Sequence, residues 1–261
     1  MSVVAQAPFV LRSDAAGVTT LTLNRGERFN PLSEEMLAAL QAEFKAIALD
    51  EAVRVVVLAA AGKAFCAGHD LRQMQASPSE AYYKNLFQQC SKLMLAIQKL
   101  PQPVIARVQG LTTAAGCQLV GMCDLAVASD NASFAVSGVN VGLFCSTPAV
   151  ALSRNVSRKQ AMEMLLTGDF IDAQTAMQRG LINRVVSAEQ LDACVAELAA
   201  SIIAKPALAI SMGKQLFYKQ LEMGVEAAYQ LAGQTMACNM LDDTAQEGVQ
   251  AFLEKRRPSW S

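Results

Sequence analysis

The chain has 261 residues, yet it holds a single histidine and a single tryptophan. One histidine, His69, excludes any site that needs two imidazoles. It also leaves a Ser/His or Cys/His nucleophilic site only one possible base. The seven cysteines, at 66, 90, 117, 123, 145, 194 and 238, are odd in number and lack CxxC spacing. They read as reduced thiols, neither disulfides nor zinc ligands, and point to a cytoplasmic protein. No basic run is present. The one cluster, Lys255-Arg256-Arg257, suits a charged helix end, so no nucleic-acid partner is expected. No apolar run approaches the ~18 residues that a membrane span needs, and residues 1–9 lack the pattern of a secretory signal. Charge is scarce too: 17% of residues are charged against 52% hydrophobic, with a net charge of −1. So little charge predicts that apolar surface is covered by other subunits.

What is present reads as alternating strands and helices. Val18–Leu23 alternates like a strand, and Ser33 caps a helix with Met36, Leu37, Leu40, Phe44 and Ile47 on one face. Val55–Leu58 suits a strand buried on both sides. Ser77-Pro-Ser-Glu80 predicts a capped helix running to about Leu100, ahead of Pro101 and Pro103. Strands are expected at Val104–Ala106, Asp124–Val127 and Ser133–Val136. Capping patterns at Ser157–Gln160 and Ser187–Gln190 and a helix-ending Gly180 mark later helices. Past Lys205-Pro206 nothing resembles a strand. The pattern predicts an α/β core over 1–200 and a helical region over 201–261.

Two small-residue loops stand out, Lys63–Arg72 and Val108–Gln118. Each follows a strand and leads towards a helix, so backbone N–H groups could face a ligand. From spacing alone they read as tight strand-to-helix connections.

Asn24-Arg25 with Asn30-Pro-Leu32, Ala67-Gly-His-Asp-Leu71, Gln109 to Cys117 and the pair Cys123-Asp124 occur in the order in which the crotonase (enoyl-CoA hydratase/isomerase) family carries its motifs. The sequence resembles that family over nearly its whole length. The resemblance implies a spiral of β-β-α units, a C-terminal helical trimerisation region, and a homotrimer or dimer of trimers. It implies an acyl-CoA ligand and no resident cofactor, coenzyme A being part of the substrate. By position, the backbone N–H groups of His69 and Ala115 would form an oxyanion hole, with Ala67 and Gly116 beside them. Asp70, Leu71 and Arg72 would continue the substrate loop. Arg25, Arg28 and Phe29 would lie near the nucleotide and pantetheine, although by themselves the arginines read as surface charges.

The resemblance breaks at the acid–base pair. The two glutamate positions of the family's hydratases fall at Gln118 and Gly138. A carboxamide cannot take up and return a proton near neutral pH, so efficient hydration is not expected. The aspartate of the family's dienoyl isomerases would fall at Ser146. Cys145, beside Phe144, reads as a packed thiol before a nucleophile. Thioester hydrolysis, decarboxylation, isomerisation and non-catalytic acyl-CoA binding, as a scaffold subunit for example, remain open.

Overall fold

In the computed structural model, residues 7–76 and 78–260 are described. Strands β1 (Val10–Ala15) and β2 (Val18–Leu23) form a hairpin, and α1 (Glu34–Ile47) leads to β3 (Val55–Ala60) and β4 (Ala64–Cys66). Then come α2 (Leu71–Ala76), α3 (Glu80–Lys99), β5 (Val104–Val108), β6 (Leu111–Thr113) and α4 (Ala115–Met122). The next stretch holds β7 (Leu125–Ser129), β8 (Ser133–Ala135), α5 (Ser146–Asn155), α6 (Arg158–Thr167), β9 (Ile171–Asp172), α7 (Ala173–Gln178), β10 (Arg184–Val186) and α8 (Leu191–Ile203). Helices α9 (Ala207–Gln220), α10 (Val225–Met240) and α11 (Asp243–Leu253) close the chain.

Successive strand pairs divide between two sheets. β3, β5 and β7 join the larger sheet, ordered β1-β2-β3-β5-β7-β10, while β4, β6 and β8 join the smaller, ordered β4-β6-β8-β9. Both stacks are parallel along these repeated strands. The chain is therefore the expected spiral of β-β-α units followed by helices. The division drawn at residue 200 falls inside α8.

Alternation along β3 explains its unbroken apolar run. Val56, Leu58 and Ala60 face the main core, and Val55, Val57 and Ala59 face a second cluster with Leu191, Val195 and Ala199 of α8. Both faces of the strand are buried, as a covered parallel sheet requires. Ser33 caps α1, accepting from Met36 N–H at 3.3 Å. The cap of α3 differs from expectation. Ser79 accepts from Tyr82 N–H and the helix begins at Glu80, so Pro78 lies outside it. Ser77 lies outside the described residues.

Helix α9 docks on the core through a buried polar lock. Lys214 Nζ on α9 donates to Asp124 Oδ2 at 2.6 Å and to the carbonyls of Ile97 and Gln102, each at 2.9 Å. Tyr218 donates to the other Asp124 oxygen, and Val104 N–H to Oδ2. Burial pulls the Lys214 amine below the ordinary lysine range, and the Asp124 carboxylate opposes that shift. The Lys214 amine thus has three acceptors and both Asp124 oxygens accept, which ties α9 to the core. Beyond the lock, α9–α11 expose Phe217, Leu221, Tyr229, Met236, Leu241 and Phe252.

Candidate active site

The two small-residue loops meet. Gly116, one residue into α4, lies so close to the other loop that a Cβ there would stand 2.2 Å from the Cys66 carbonyl oxygen. Gly68 takes φ +89° and packs against Ala114 and the Ala115 nitrogen. Side-chain amides hold the turn below: Asn30 Nδ2 donates to the carbonyls of Ala61 and Ala64, and Gln109 Nε2 to those of Ala60, Gly62 and Ala64. Asn30 itself has φ 50°, which an Asn tolerates.

Two backbone donors result. Ala114 adopts φ 50° and ψ −119°, and this turn puts Ala115 at the first position of α4, where an N–H has no intrahelical acceptor. Strain of this kind typically costs about 1–3 kcal/mol and collects at functional sites. Leu32 N–H bonds the Gly68 carbonyl at 2.8 Å and fixes the chain just before His69. Among the described residues, neither the His69 nor the Ala115 N–H has a protein acceptor.

A cavity of about 340 Å³ is lined by both residues, together with Ala67, Leu71 and Ala114. Met74 and Phe87 add apolar surface from α2 and α3. A single segment also lines it, with Ser137, Gly138, Val141, Leu143, Phe144 and Cys145 followed by the first turn of α5. Among the described residues, the wall contains no Asp, Glu, Lys or Arg. Its two readily ionisable side chains are held neutral. Burial pushes His69 down to about 4 and the Cys145 thiol up.

The remaining candidate residues fall into distinct places. Gln118 is buried one turn behind Ala115, its Oε1 without a partner, and is not part of the cavity wall. Gly138 is in the wall, but its side-chain space is filled. A Cβ there would stand 2.4 Å from the Leu143 carbonyl oxygen and 2.7 Å from Cys145 Sγ, and Gly138 N–H donates to that sulfur at 3.3 Å. Asp70 caps α2, accepting from Arg72 and Gln73 N–H, and pairs with Arg28 at 2.9 Å. Phe29 and Arg72 are exposed near this loop. Arg25 is occupied elsewhere: its guanidinium donates to the carbonyls of Ala7, Pro8 and Asn24 and stacks on Phe9. Reading Arg25 as a nucleotide contact therefore does not stand. Sequence reasoning missed Met74, Phe87, Ser137, Val141 and Leu143. Their only signal was proximity to the small-residue loops and to Gly138.

Comparison with known proteins gives one consistent result. A family profile described as enoyl-CoA hydratase/isomerase matches residues 13–261. The chain is 46% identical over 245 residues to the rat protein named enoyl-CoA hydratase domain-containing protein 3, mitochondrial, covering 94% of this chain and 82% of that one. A crystal structure described as enoyl-CoA hydratase from Mycobacterium smegmatis superposes with a TM-score of 0.96 at 62% identity, covering 97% of this chain and 99% of that one. The structure of human enoyl coenzyme A hydratase domain-containing protein 3 gives a TM-score of 0.94 at 44% identity, covering 97% and 100%. The cytoplasmic expectation is corrected here, because five relatives at 42–46% identity carry mitochondrial names. All seven cysteines are free. Free thiols do not say which compartment holds the protein, so the inference from thiols to cytoplasm was too narrow. No single described helix is long and apolar enough to cross a membrane.

Proposed function

Because the chain belongs to the enoyl-CoA hydratase/isomerase family, we propose that it binds an acyl-CoA thioester with the carbonyl oxygen between His69 N–H and Ala115 N–H, and that it is not an efficient hydratase. The observation that carries this reading is a cavity with two unpartnered backbone donors in its wall and no carboxylate. One donor of this kind contributes roughly 3–4 kcal/mol when negative charge develops on the oxygen, and the helix α4 dipole adds to it. The thioester is thereby polarised towards the enolate.

Proton transfer is where the site falls short. Gln118 and Gly138 occupy the family's glutamate positions, and general acid–base groups contribute about 10²–10⁴-fold each. His69 and Cys145 do not substitute for them, because neither exchanges a proton readily near neutral pH. Isomerisation and hydrolysis both need such a group. Decarboxylation does not, but the wall offers no cation to a carboxylate. Acyl-CoA binding with carbonyl polarisation is the reading the chemistry favours. Phe29, Leu71 and Arg72 are exposed and Arg28 pairs with Asp70, and in this reading these residues meet the pantetheine and phosphates. The apolar face of α9–α11 supports a homotrimer or dimer of trimers.

Calorimetric titration with butyryl-CoA, run beside a crotonyl-CoA hydration assay, tests the reading. Saturable binding with hydration at least about 10⁴-fold below that of a family member carrying both glutamates is expected. Hydration at the rate of such a member, or no binding of any CoA thioester, overturns it.

A further inference from the structure

The two ring nitrogens of His69 have different surroundings. Among the described residues, Nε2 is sealed from solvent and has no hydrogen-bond partner, and Nδ1 is not one of the sealed, unpartnered atoms. The ring stands edge-on to Phe87, centroids 5.5 Å apart and planes at 86°, and both residues line the cavity. A sealed N–H without an acceptor costs more than a sealed lone pair, because orphan donors are the rarer and costlier defect. That assigns the proton to Nδ1, the other ring nitrogen. Burial keeps the ring uncharged at neutral pH. The cavity therefore holds a fixed, neutral side-chain donor on the residue whose backbone N–H faces the thioester.

We propose that His69 Nδ1–H is a specificity determinant that selects acyl-CoAs carrying a carbonyl oxygen at C3, the 3-oxoacyl-CoAs. The inference rests on the proposed acyl-CoA site. With the thioester oxygen on the backbone N–H of residue 69, the side chain of that residue stands beside the next few acyl atoms. A C3 carbonyl brings an acceptor to the one ring donor that lacks a partner. A ketone fits better than a carboxylate, since the wall has no Lys or Arg and burying an unpaired carboxylate is costly. Saturated and enoyl chains leave the Nδ1–H desolvated and unpaired.

Acetoacetyl-CoA and butyryl-CoA have the same carbon count and differ at C3 by an oxygen, so the ratio of their dissociation constants reads the contact directly. Calorimetry on the full chain should give acetoacetyl-CoA about fivefold tighter, the equivalent of ~1 kcal/mol for one net hydrogen bond. Malonyl-CoA should bind no tighter than butyryl-CoA. In His69→Phe the acetoacetyl/butyryl ratio should fall to about one. In His69→Asn, whose amide places a donor near the Nδ1 position, it should stay above one. Because each ratio is taken within one protein, a general loss of affinity cancels. A wild-type ratio of one, an undiminished ratio in His69→Phe, or tightest binding of malonyl-CoA overturns the inference while leaving acyl-CoA binding standing. Failure of butyryl-CoA, acetoacetyl-CoA and free CoA alike to bind overturns the proposed function, and this inference with it.

Discussion

Adding one methyl group at Gly138 probes whether the side-chain space at this position of the cavity wall is vacant or filled. In Gly138→Ala the new Cβ would stand 2.4 Å from the Leu143 carbonyl oxygen and 2.7 Å from Cys145 Sγ. The first obstacle is backbone, tied back by Leu143 N–H donating to the Gly138 carbonyl at 2.9 Å. It cannot swing away as a side chain would. Overpacking of this kind typically costs about 1–3 kcal/mol, which for a chain of this size lowers the melting temperature by about 4–8 °C at the middle of that range. Removing the sulfur with Cys145→Ala should recover only part of the loss, because the Leu143 carbonyl remains. The same geometry governs Gly138→Glu combined with Gln118→Glu. That double variant should not gain crotonyl-CoA hydration, since the first carboxylate cannot stand in line and the second would be buried without a partner. Thermal melts and a hydration assay are sufficient. A Gly138→Ala variant as stable as wild type, or a hydrating double variant, would refute the reasoning.

Lys214→Met should cost about 3 kcal/mol in urea unfolding, the low end for a broken buried pair, because Asp124 keeps Val104 N–H and Tyr218 OH. It should also raise amide exchange in α9. The pH dependence of stability carries a His69 signature. Its folded value, about 4, lies below its ordinary 6.5, so between those values the unfolded chain takes up a proton that the folded chain refuses. The His69 contribution is therefore complete above pH 6.5 and is lost as pH falls towards 4. At 1.36 kcal/mol per pH unit this comes to about 3 kcal/mol, absent from His69→Phe in the same titration. Iodoacetamide on the native protein should modify Cys194 and Cys238 only, read by intact mass, because the other five thiols are buried.

Elements carrying strong local signals were legible in the sequence. Val18–Leu23 matches β2, Ser33 caps α1, and the run from Val55 belongs to β3. The long helix ahead of Pro101 is α3, and Gly180 takes φ +86° just after α7. Segments whose order comes from distant partners were not legible. β4 and β6 are three residues each and exist because they pair across 47 residues, which no local periodicity records. Ser157 and Ser187 have the capping pattern, yet neither caps a backbone N–H. Ser157 bonds the Gln160 side chain at 2.9 Å, and a 3-10 turn at Ala188–Gln190 precedes α8. Asp124 and Lys214 lie 90 positions apart and were read separately. The loops around His69 and Ala115 stood out for their small residues, but the roles of His69 and Ala115 came from the family motifs these loops carry. The wall segment Ser137–Cys145 is irregular backbone. That Gly138 is blocked by a carbonyl five residues on is a fact of packing alone.

Carbonyl polarisation is the claim on which the rest stands, and infrared spectroscopy of butyryl-CoA labelled with ¹³C at the thioester carbonyl measures it in the bound complex. The account predicts that the labelled C=O stretch moves to lower frequency on binding, since two N–H donors lengthen the bond. A bound thioester whose stretch is unshifted from that in water, or moves upward as in an apolar pocket, would contradict it.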